Sequence, residues 1–301
     1  MNTLRYKTPA AFKVALEDRL KRRAAQRGVM LNRVRQRFVM ERFLARVVEV
    51  LGPVATLKGG IALELRLANA RSTKDIDLRV VGDPERVLAR LQEAAALAPG
   101  DHLVFRVEPN AEHPIIEAGV YEGRRFSVAV TLAGQVYGTR FGVDVGIADP
   151  IHDTPDELIG EDYLDFVGIG PVRVAAYPVE THIAEKLHAY TQPPLRPGRE
   201  NSRVRDLPDL GLLAGTRALT AQEIRAALVK TFSFRGSHSV PENVPAPPES
   251  WAPRYVALAE ENGLPWATLA EAHAEVVAFL GPVLSGTEGT WDPRERRWTT
   301  G

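Results

Sequence analysis

Hydrophobic residues at helical spacing mark the first fifty positions of the chain. Phe12, Leu16 and Leu20 recur every four residues, which predicts an amphipathic helix over residues 9–26. A second apolar stripe predicts another helix over residues 31–51. Each of these segments is followed by a glycine, the residue that most often ends a helix. The chain is therefore expected to begin with two helices.

The pattern then changes to short apolar or alternating segments separated by turn residues. Alternation of period two predicts strands with one buried face, and the segments between some of them keep helical spacing. The predicted strands are 54–57, 75–81, 102–108, 124–133 and 140–147, and the predicted helices are 61–69 and 84–98. This order favours an α+β fold in which helices pack against a mixed sheet.

The second half of the chain is mainly helical in pattern. Apolar periodicity predicts helices over 179–191, 206–214, 220–231 and 266–284, and Pro-rich stretches predict loops over 193–202 and 239–250. We therefore expect a mixed-sheet domain over residues 1–170, with basic N-terminal helices, and a mainly α-helical domain over residues 171–301.

Composition narrows the class of protein. The 301 residues are 45% hydrophobic and 25% charged, as in soluble globular proteins, and cysteine is absent. Without cysteine the chain has no disulfide and no thiolate metal site. The charged N-terminus is unlike a signal peptide, and no apolar run approaches the length of a membrane span. We expect a cytoplasmic protein.

Charge is balanced overall but unevenly distributed. The net charge is zero, yet residues 1–47 carry thirteen Lys and Arg against three Asp and Glu. Such a segment suits phosphate backbones, and it is equally typical of a solvated helix face. If it binds RNA, the exposed candidates are Arg19, Arg22, Arg23 and Arg27, which lie away from the apolar stripe of the first helix.

The stretch KGGIALELRLANARSTKDIDLRV (residues 58–80) places two carboxylates in an apolar strand. Because side chains alternate along a strand, Asp75 and Asp77 share one face, roughly 7 Å apart. Buried carboxylates need a cationic partner, and a pair of carboxylate groups suits Mg²⁺.

A glycine pair precedes this strand. Gly59 and Gly60 lie where a strand turns into a helix, and a backbone without Cβ atoms at a helix N-terminus can approach a phosphate closely. A glycine pair and a D-x-D motif are each common by chance, but the combination within about 25 residues is more specific.

Two stretches resemble a known family. LKGGIALELRLANARSTKDIDLRV (residues 57–80) resembles the first motif of the AbiEii-type nucleotidyltransferase toxins, which belong to the DNA polymerase β-like nucleotidyltransferase superfamily. HIAEKLHAYTQPPLRPGRENSRVRDLPDLGLL (residues 182–213) resembles their second motif, a lysine in a helix followed by D-x-x-D. Within the family, the likeness is greatest to the mycobacterial MenT toxins. The resemblance implies a polymerase β-like nucleotidyltransferase domain.

The resemblance also implies roles for individual residues. Asp75 and Asp77 would bind Mg²⁺ and act in catalysis, and Asp144, on a neighbouring predicted strand, would be the third metal ligand. Lys186 would act on the triphosphate and Asp209 would pair with it, both as catalytic residues. The residues implied to contact the nucleotide are Lys58, Gly59, Gly60, Arg71, Thr73 and Asp206.

Three functions remain open at this point. By resemblance, the enzyme would transfer a nucleoside monophosphate from an NTP to the 3′ end of tRNA and so block aminoacylation, with a cognate antitoxin as a further partner. A second function keeps the chemistry but uses a small molecule as the acceptor. A third is a non-catalytic protein that binds RNA or a partner. The intact D-x-D motif argues against the third, because unpaired buried carboxylates would cost stability.

Overall fold

The computed structural model describes residues 6, 8–67, 70–112, 115–118, 121–147, 154–194 and 200–299, and for residues 116–118, 121 and 122 it describes the backbone alone. The chain forms two compact units. The first comprises Met1–Ile61, Thr73–Pro150 and Glu157–Ala176, and the second comprises Ala62–Ser72, Ile151–Asp156 and Tyr177–Gly301. A single boundary along the sequence cannot represent this division.

The first unit begins with the two predicted helices, α1 (Pro9–Arg27) and α2 (Leu31–Leu51). The side chain of Thr8 caps the start of α1 by accepting a hydrogen bond from the backbone of Ala11, and Gly28 ends the helix in the left-handed conformation. The predicted apolar stripe of α1 is fully buried. Both helix predictions are confirmed.

A mixed sheet forms the centre of the first unit. Its main strands follow the order β3-β5-β7-β2-β1-β9-β8, and β4 and β6 each pair with β5. The strands are β1 (Ala55–Lys58), β2 (Asp75–Val80), β3 (Leu103–Pro109), β4 (Ile115–Ala118), β5 (Tyr121–Leu132), β6 (Gln135–Val136), β7 (Phe141–Ile147), β8 (Asp156–Ile159) and β9 (Arg173–Ala176). Strand β2 is antiparallel to β1 and parallel to β7. The predicted α+β class with a mixed sheet is confirmed.

Helices cover this sheet within the first unit. Helix α4 (Val87–Ala96) packs against α2 and β3, and α2 also contacts β1 and β9. The ring of Phe43 on α2 lies 5.3 Å from that of Phe105 and 5.8 Å from that of Phe141, which joins the helix to two strands. Short 3₁₀ helices occur at Gly52–Val54, Pro84–Arg86 and Asp165–Val167.

The second unit is mainly helical. It contains α5 (Val179–Thr191), α6 (Asp206–Leu213), α7 (Ala221–Arg235), a 3₁₀ turn (Glu249–Trp251), α8 (Ala252–Asn262) and α9 (Leu269–Leu284), together with a three-stranded sheet of β10 (Leu219–Thr220), β11 (Thr290–Asp292) and β12 (Arg297–Thr299). Helix α5 packs on α6 and α7, and α9 packs on α6, α7 and α8. One apolar cluster runs through these helices and includes Trp291 of the small sheet.

Helix α3 (Gly59–Arg66) connects the two units through the chain. It begins two residues before the predicted start at residue 61, and residues 68 and 69 of the predicted helix lie outside the described residues. The predicted helix over 266–284 begins later, at Leu269, because Thr268 and Glu271 form a capping box there. Part of the predicted loop over 193–202, residues 195–199, also lies outside the described residues.

Candidate active site

Strand β2 presents its acidic residues on one face, as the alternation predicts. Ile76, Leu78 and Val80 are buried, whereas Asp75 is exposed and Asp77 is half-buried. The apolar face anchors the strand in the core of the first unit, so the carboxylates are carried on a rigid element.

The neighbouring strands bring three more charged residues level with this pair. Asp77 lies directly opposite Lys58 on β1 and directly opposite Asp144 on β7. Asp144 in turn lies opposite Arg125 on β5. Residues that are directly opposite on adjacent strands present their side chains on the same face. The sheet therefore carries a row of four charges, Lys58, Asp77, Asp144 and Arg125, which we call the charged row.

The glycine pair makes room for side chains of this site. Gly59 has a positive φ of 67°, and a Cβ atom there would overlap the carboxylate of Asp77. A Cβ atom at Gly60 would lie 2.7 Å from the hydroxyl oxygen of Thr73. The sequence suggested that these glycines let a phosphate approach. The structure adds a second reason for them, since Asp77 and Thr73 occupy the space that larger residues would need.

A third glycine serves Asp75 in the same way. Gly142 on β7 lies opposite Asp75, and a Cβ atom at Gly142 would overlap the Asp75 carboxylate. Sequence reasoning missed Gly142, although its position two residues before Asp144 in the motif FGVDVGI was a usable signal. Both acidic residues of β2 are thus seated against glycine backbone.

The third predicted metal ligand is engaged by an arginine. Arg125 donates from Nε to Asp144 Oδ1 at 2.6 Å and from Nη2 to Asp144 Oδ2 at 2.5 Å. These hydrogen bonds raise the pKa of Arg125, and the charges of Asp144, Asp75 and Asp77 act in the same direction. The guanidinium therefore binds Asp144 directly and lies within the field of all three carboxylates. Sequence reasoning missed Arg125 because no local pattern distinguishes it from other strand arginines.

The acidic residues of this site meet some of the requirements of a Mg²⁺ ion. Asp75 and Asp77 offer carboxylate oxygens, and Mg²⁺ commonly takes one or two carboxylates with waters and substrate phosphates. Within the described ranges, however, no group of three or more His, Cys, Asp or Glu side chains is placed to hold a metal ion. Asp75, Asp77 and Asp144 are thus not gathered into a three-carboxylate site, because both oxygens of Asp144 face Arg125.

The second motif forms a buried charge cluster in the second unit. Lys186 on α5 lies 2.7 Å from Asp206 and 2.8 Å from Asp209, both on α6. Arg71 donates from Nε and Nη2 to the two oxygens of Asp209 at 2.8 and 2.7 Å. We call these four residues the buried quartet. The predicted ion pair between Lys186 and Asp209 is confirmed.

Electrostatics fixes the charge state of the buried quartet. Burial by itself would raise the pKa of Asp209, but the charges of Lys186 and Arg71 outweigh it and lower the pKa to about 2. Burial would lower the pKa of Lys186, but the charges of Asp206 and Asp209 raise it well above its ordinary value. Lys186 and Asp209 thus stay ionised in the folded chain.

The remaining predicted nucleotide contacts are placed as follows. Lys58 is half-buried at the end of β1 in the charged row, and Thr73 is half-buried beside Gly60. Arg71 is 6% exposed and directs its guanidinium to Asp209. The structure therefore places Arg71 and Asp206 in the buried quartet and not in the charged row.

The exposure predicted for the N-terminal arginines is wrong for two of the four. Arg23 is half-buried and pairs with Glu161, and Arg19 is half-buried with its guanidinium 3.8 Å from the ring centre of Phe166. Other basic residues of this segment are also paired within the first unit: Arg27 and Arg37 with Glu161, Arg35 with Glu17, and Arg42 and Arg46 with Asp101. Much of the basic character of residues 1–47 is thus neutralised internally.

The fold is that of a nucleotidyltransferase. MenT4, a nucleotidyltransferase toxin from Mycobacterium tuberculosis H37Rv, matches with a TM-score of 0.62 and 17% identity over 93% of this chain and 92% of that one. JHP933 from Helicobacter pylori matches with a TM-score of 0.46 and 15% identity over 83% of this chain and 90% of that one. No curated protein matches the sequence.

The family follows from the sequence itself. A family model described as nucleotidyl transferase AbiEii toxin, type IV toxin–antitoxin system, matches residues 42–277. The chain belongs to this family of toxin nucleotidyltransferases, which confirms the predicted resemblance. Among the described residues, no helix is long and apolar enough to cross a membrane.

Proposed function

We propose that this chain is a toxin enzyme that transfers a nucleoside monophosphate from an NTP to the 3′ end of tRNA, which blocks aminoacylation and so translation. The observation that carries the proposal is the placement of Asp75 and Asp77 on one sheet face beside the glycine turn, in a chain of the AbiEii family. Family membership supports nucleotidyl transfer, and the charged row supports phosphate chemistry at this face.

The residues of the first unit would divide the work. Asp75 and Asp77 would hold Mg²⁺, which supplies charge neutralisation for the nucleotide phosphates and the departing pyrophosphate. Gly59 and Gly60 would offer backbone N–H groups at the start of α3 to the phosphates, with Lys58 and Thr73 beside them. The new bond joins the acceptor hydroxyl oxygen to the α-phosphorus, the hydroxyl proton is lost to solvent, and the bond between the α-phosphorus and pyrophosphate breaks.

The buried quartet belongs to the second family motif, and on that resemblance we propose that it also serves the reaction. Lys186 has three N–H donors, and two of them lie within hydrogen-bonding distance of Asp206 and Asp209. In this proposal, the third donor would bind a phosphate oxygen. Asp209 and Asp206 hold the lysine in one orientation, and Arg71 fixes Asp209.

A labelling experiment tests the proposal. The full chain is incubated with total tRNA, Mg²⁺ and each α-labelled NTP in turn, and the RNA is separated on a gel. We expect label at the tRNA 3′ end with one preferred NTP and release of pyrophosphate. Asp77→Asn should lower the rate roughly a hundredfold or more. Glu93→Gln, at an exposed surface pair with Arg90, is the matched control and should label like wild type. Unchanged labelling by Asp77→Asn would refute the assignment.

A small-molecule acceptor is the second candidate, and one observation favours it. The internal pairing of Arg23, Arg27 and Arg37 with Glu161 reduces the cationic surface available to an RNA backbone. Failure of every RNA to accept label, together with NTP-dependent release of pyrophosphate in the presence of small hydroxyl compounds, would favour this acceptor. Absence of any transfer would favour the non-catalytic alternative.

We further propose a cognate antitoxin as the functional partner, because the family is described as part of a type IV toxin–antitoxin system. Expression of the chain alone should slow growth, and expression together with the antitoxin gene should restore it.

A further inference from the structure

Arg125 and Asp144 form a bidentate ion pair within the charged row. Two parallel N–H···O bonds of 2.6 and 2.5 Å join them, the fork geometry in which a guanidinium binds a carboxylate most strongly. The Asp144 side chain is 18% exposed and that of Arg125 is 37% exposed, so solvent and ligands can reach the pair. The pair is therefore joined by two strong hydrogen bonds and remains accessible to solvent.

The position of this pair links it to the acidic residues of β2. Asp144 on β7 lies directly across from Asp77 on β2, and Arg125 on β5 lies directly across from Asp144. The guanidinium therefore occupies the electrostatic environment in which a divalent cation would have to bind. Two cations cannot share the same carboxylate oxygens at bonding distance without strong repulsion.

We propose that Arg125 and a divalent metal ion are alternative partners of Asp144, so that Asp144 can ligate the metal only after Arg125 has released it. This inference rests on the proposed function. The released guanidinium is planar and carries five N–H donors, a geometry that matches phosphate oxygens. Because the nucleotide arrives with phosphates and a metal ion together, the exchange couples metal binding at Asp144 to phosphate binding by Arg125. Arg125 thus acts on the metal through Asp144 and would contact the phosphates itself once it is released.

Binding of Mn²⁺ alone to the full chain, measured by electron paramagnetic resonance, tests the exchange without relying on activity. Mn²⁺ accepts the same oxygen ligands as Mg²⁺. We expect Arg125→Gln to lower the Kd for Mn²⁺ roughly three- to tenfold, because the competing cation is removed. Arg125→Lys keeps the charge but loses the fork, and it should still lower the Kd about twofold.

Two controls isolate the exchange from a general charge effect. Arg124 is adjacent on β5, on the opposite face, and pairs with Glu85, so Arg124→Gln should leave the Kd at the wild-type value. Adding Asp144→Asn to Arg125→Gln should abolish the gain in affinity, because the gain requires the Asp144 carboxylate.

The possible outcomes separate the two proposals. Wild-type Mn²⁺ affinity in both Arg125 variants, or tighter binding in Arg125→Gln but not in Arg125→Lys, would overturn the exchange. Weaker binding in both variants would overturn it as well, since Arg125 would then orient Asp144 for the metal. None of these results would contradict the proposed function. If the wild-type chain itself binds no Mn²⁺ at millimolar concentration, the metal-dependent function fails and the exchange fails with it.

Discussion

Replacing Asp209 with asparagine would break the buried quartet at the residue that holds it together. Asp209 is 0% exposed and accepts three charged contacts, two from Arg71 and one from Lys186. Asparagine has nearly the same shape but no charge, so Asp209→Asn would leave the buried Arg71 and Lys186 without the carboxylate that accepts from both. Breaking a buried ion pair by removing one partner costs about 3–5 kcal/mol, and we expect the free energy of unfolding to fall by that amount.

The pKa of Asp209 acts in the same direction. Although burial would raise it, the charges of Lys186 and Arg71 lower it from 3.8 to about 2, so the ionised carboxylate stabilises the folded chain. The group is charged in the folded chain at a lower pH than in the unfolded chain. The contribution of ionised Asp209 to the free energy of unfolding is therefore fully present above about pH 4 and is lost as the pH falls toward 2. Asp209→Asn should lack this part of the acid dependence.

Urea unfolding followed by circular dichroism measures both effects. The matched control is Glu288→Gln in the same unit, because Glu288 is exposed and its pair with Arg225 should contribute less than about 1 kcal/mol. A second test combines Asp209→Asn with Arg71→Gln, which removes one of the stranded charges and should cost less than the sum of the single changes. A loss below about 1 kcal/mol in Asp209→Asn would refute the account of the buried quartet.

Two further predictions concern the proposed catalytic residues. Gly59→Ala would force a methyl group into the space of the Asp77 carboxylate, so we expect nucleotide transfer to be lost in the labelling assay. The control is Gly134→Ala, at a turn glycine that also has a positive φ but no neighbouring atom within 4 Å of its added Cβ. This variant should keep full transfer, and its free energy of unfolding in urea should fall by only about 1 kcal/mol. Lys186→Ala should lower turnover strongly, and Lys186→Arg should restore only part of it, because the guanidinium differs in shape from the ammonium group. If Lys186→Ala turned over like wild type, the second motif would have a structural role in this chain.

Local sequence patterns predicted much of the fold. The stripe of Phe12, Leu16 and Leu20 and the alternation around Asp75 and Asp77 match the structure because burial of one face dictates both patterns. Helix α8 was missed, since it follows a Pro-rich stretch and two of its eleven residues are buried, Tyr255 and Ala259. Short strands such as β8 and β9 were missed because four residues carry little periodic signal.

The motif residues of the candidate site could be predicted from the sequence, but their partners from distant segments could not. The motif residues could be found because they lie close together within each motif, and the pair of Lys186 with Asp209 followed from the resemblance to the family's second motif. The partner of Asp144 could not be predicted, since Arg125 lies 19 positions away on another strand. The sequence of neither strand specifies the register in which the two strands pair. The internal pairing of the N-terminal arginines was hidden for the same reason, because Glu161 is more than 120 residues distant from them.

The path of the chain through the two units has a consequence for modularity. Residues 62–72 and 151–156 leave the first unit to join the second and then return. Leu63 and Ala70, for example, belong to the apolar cluster of the helical unit although they precede the acidic strand. No single cut yields either unit as a continuous polypeptide, and a truncation after residue 176 would strip these side chains of their core. The two units must therefore be expressed and engineered as one polypeptide.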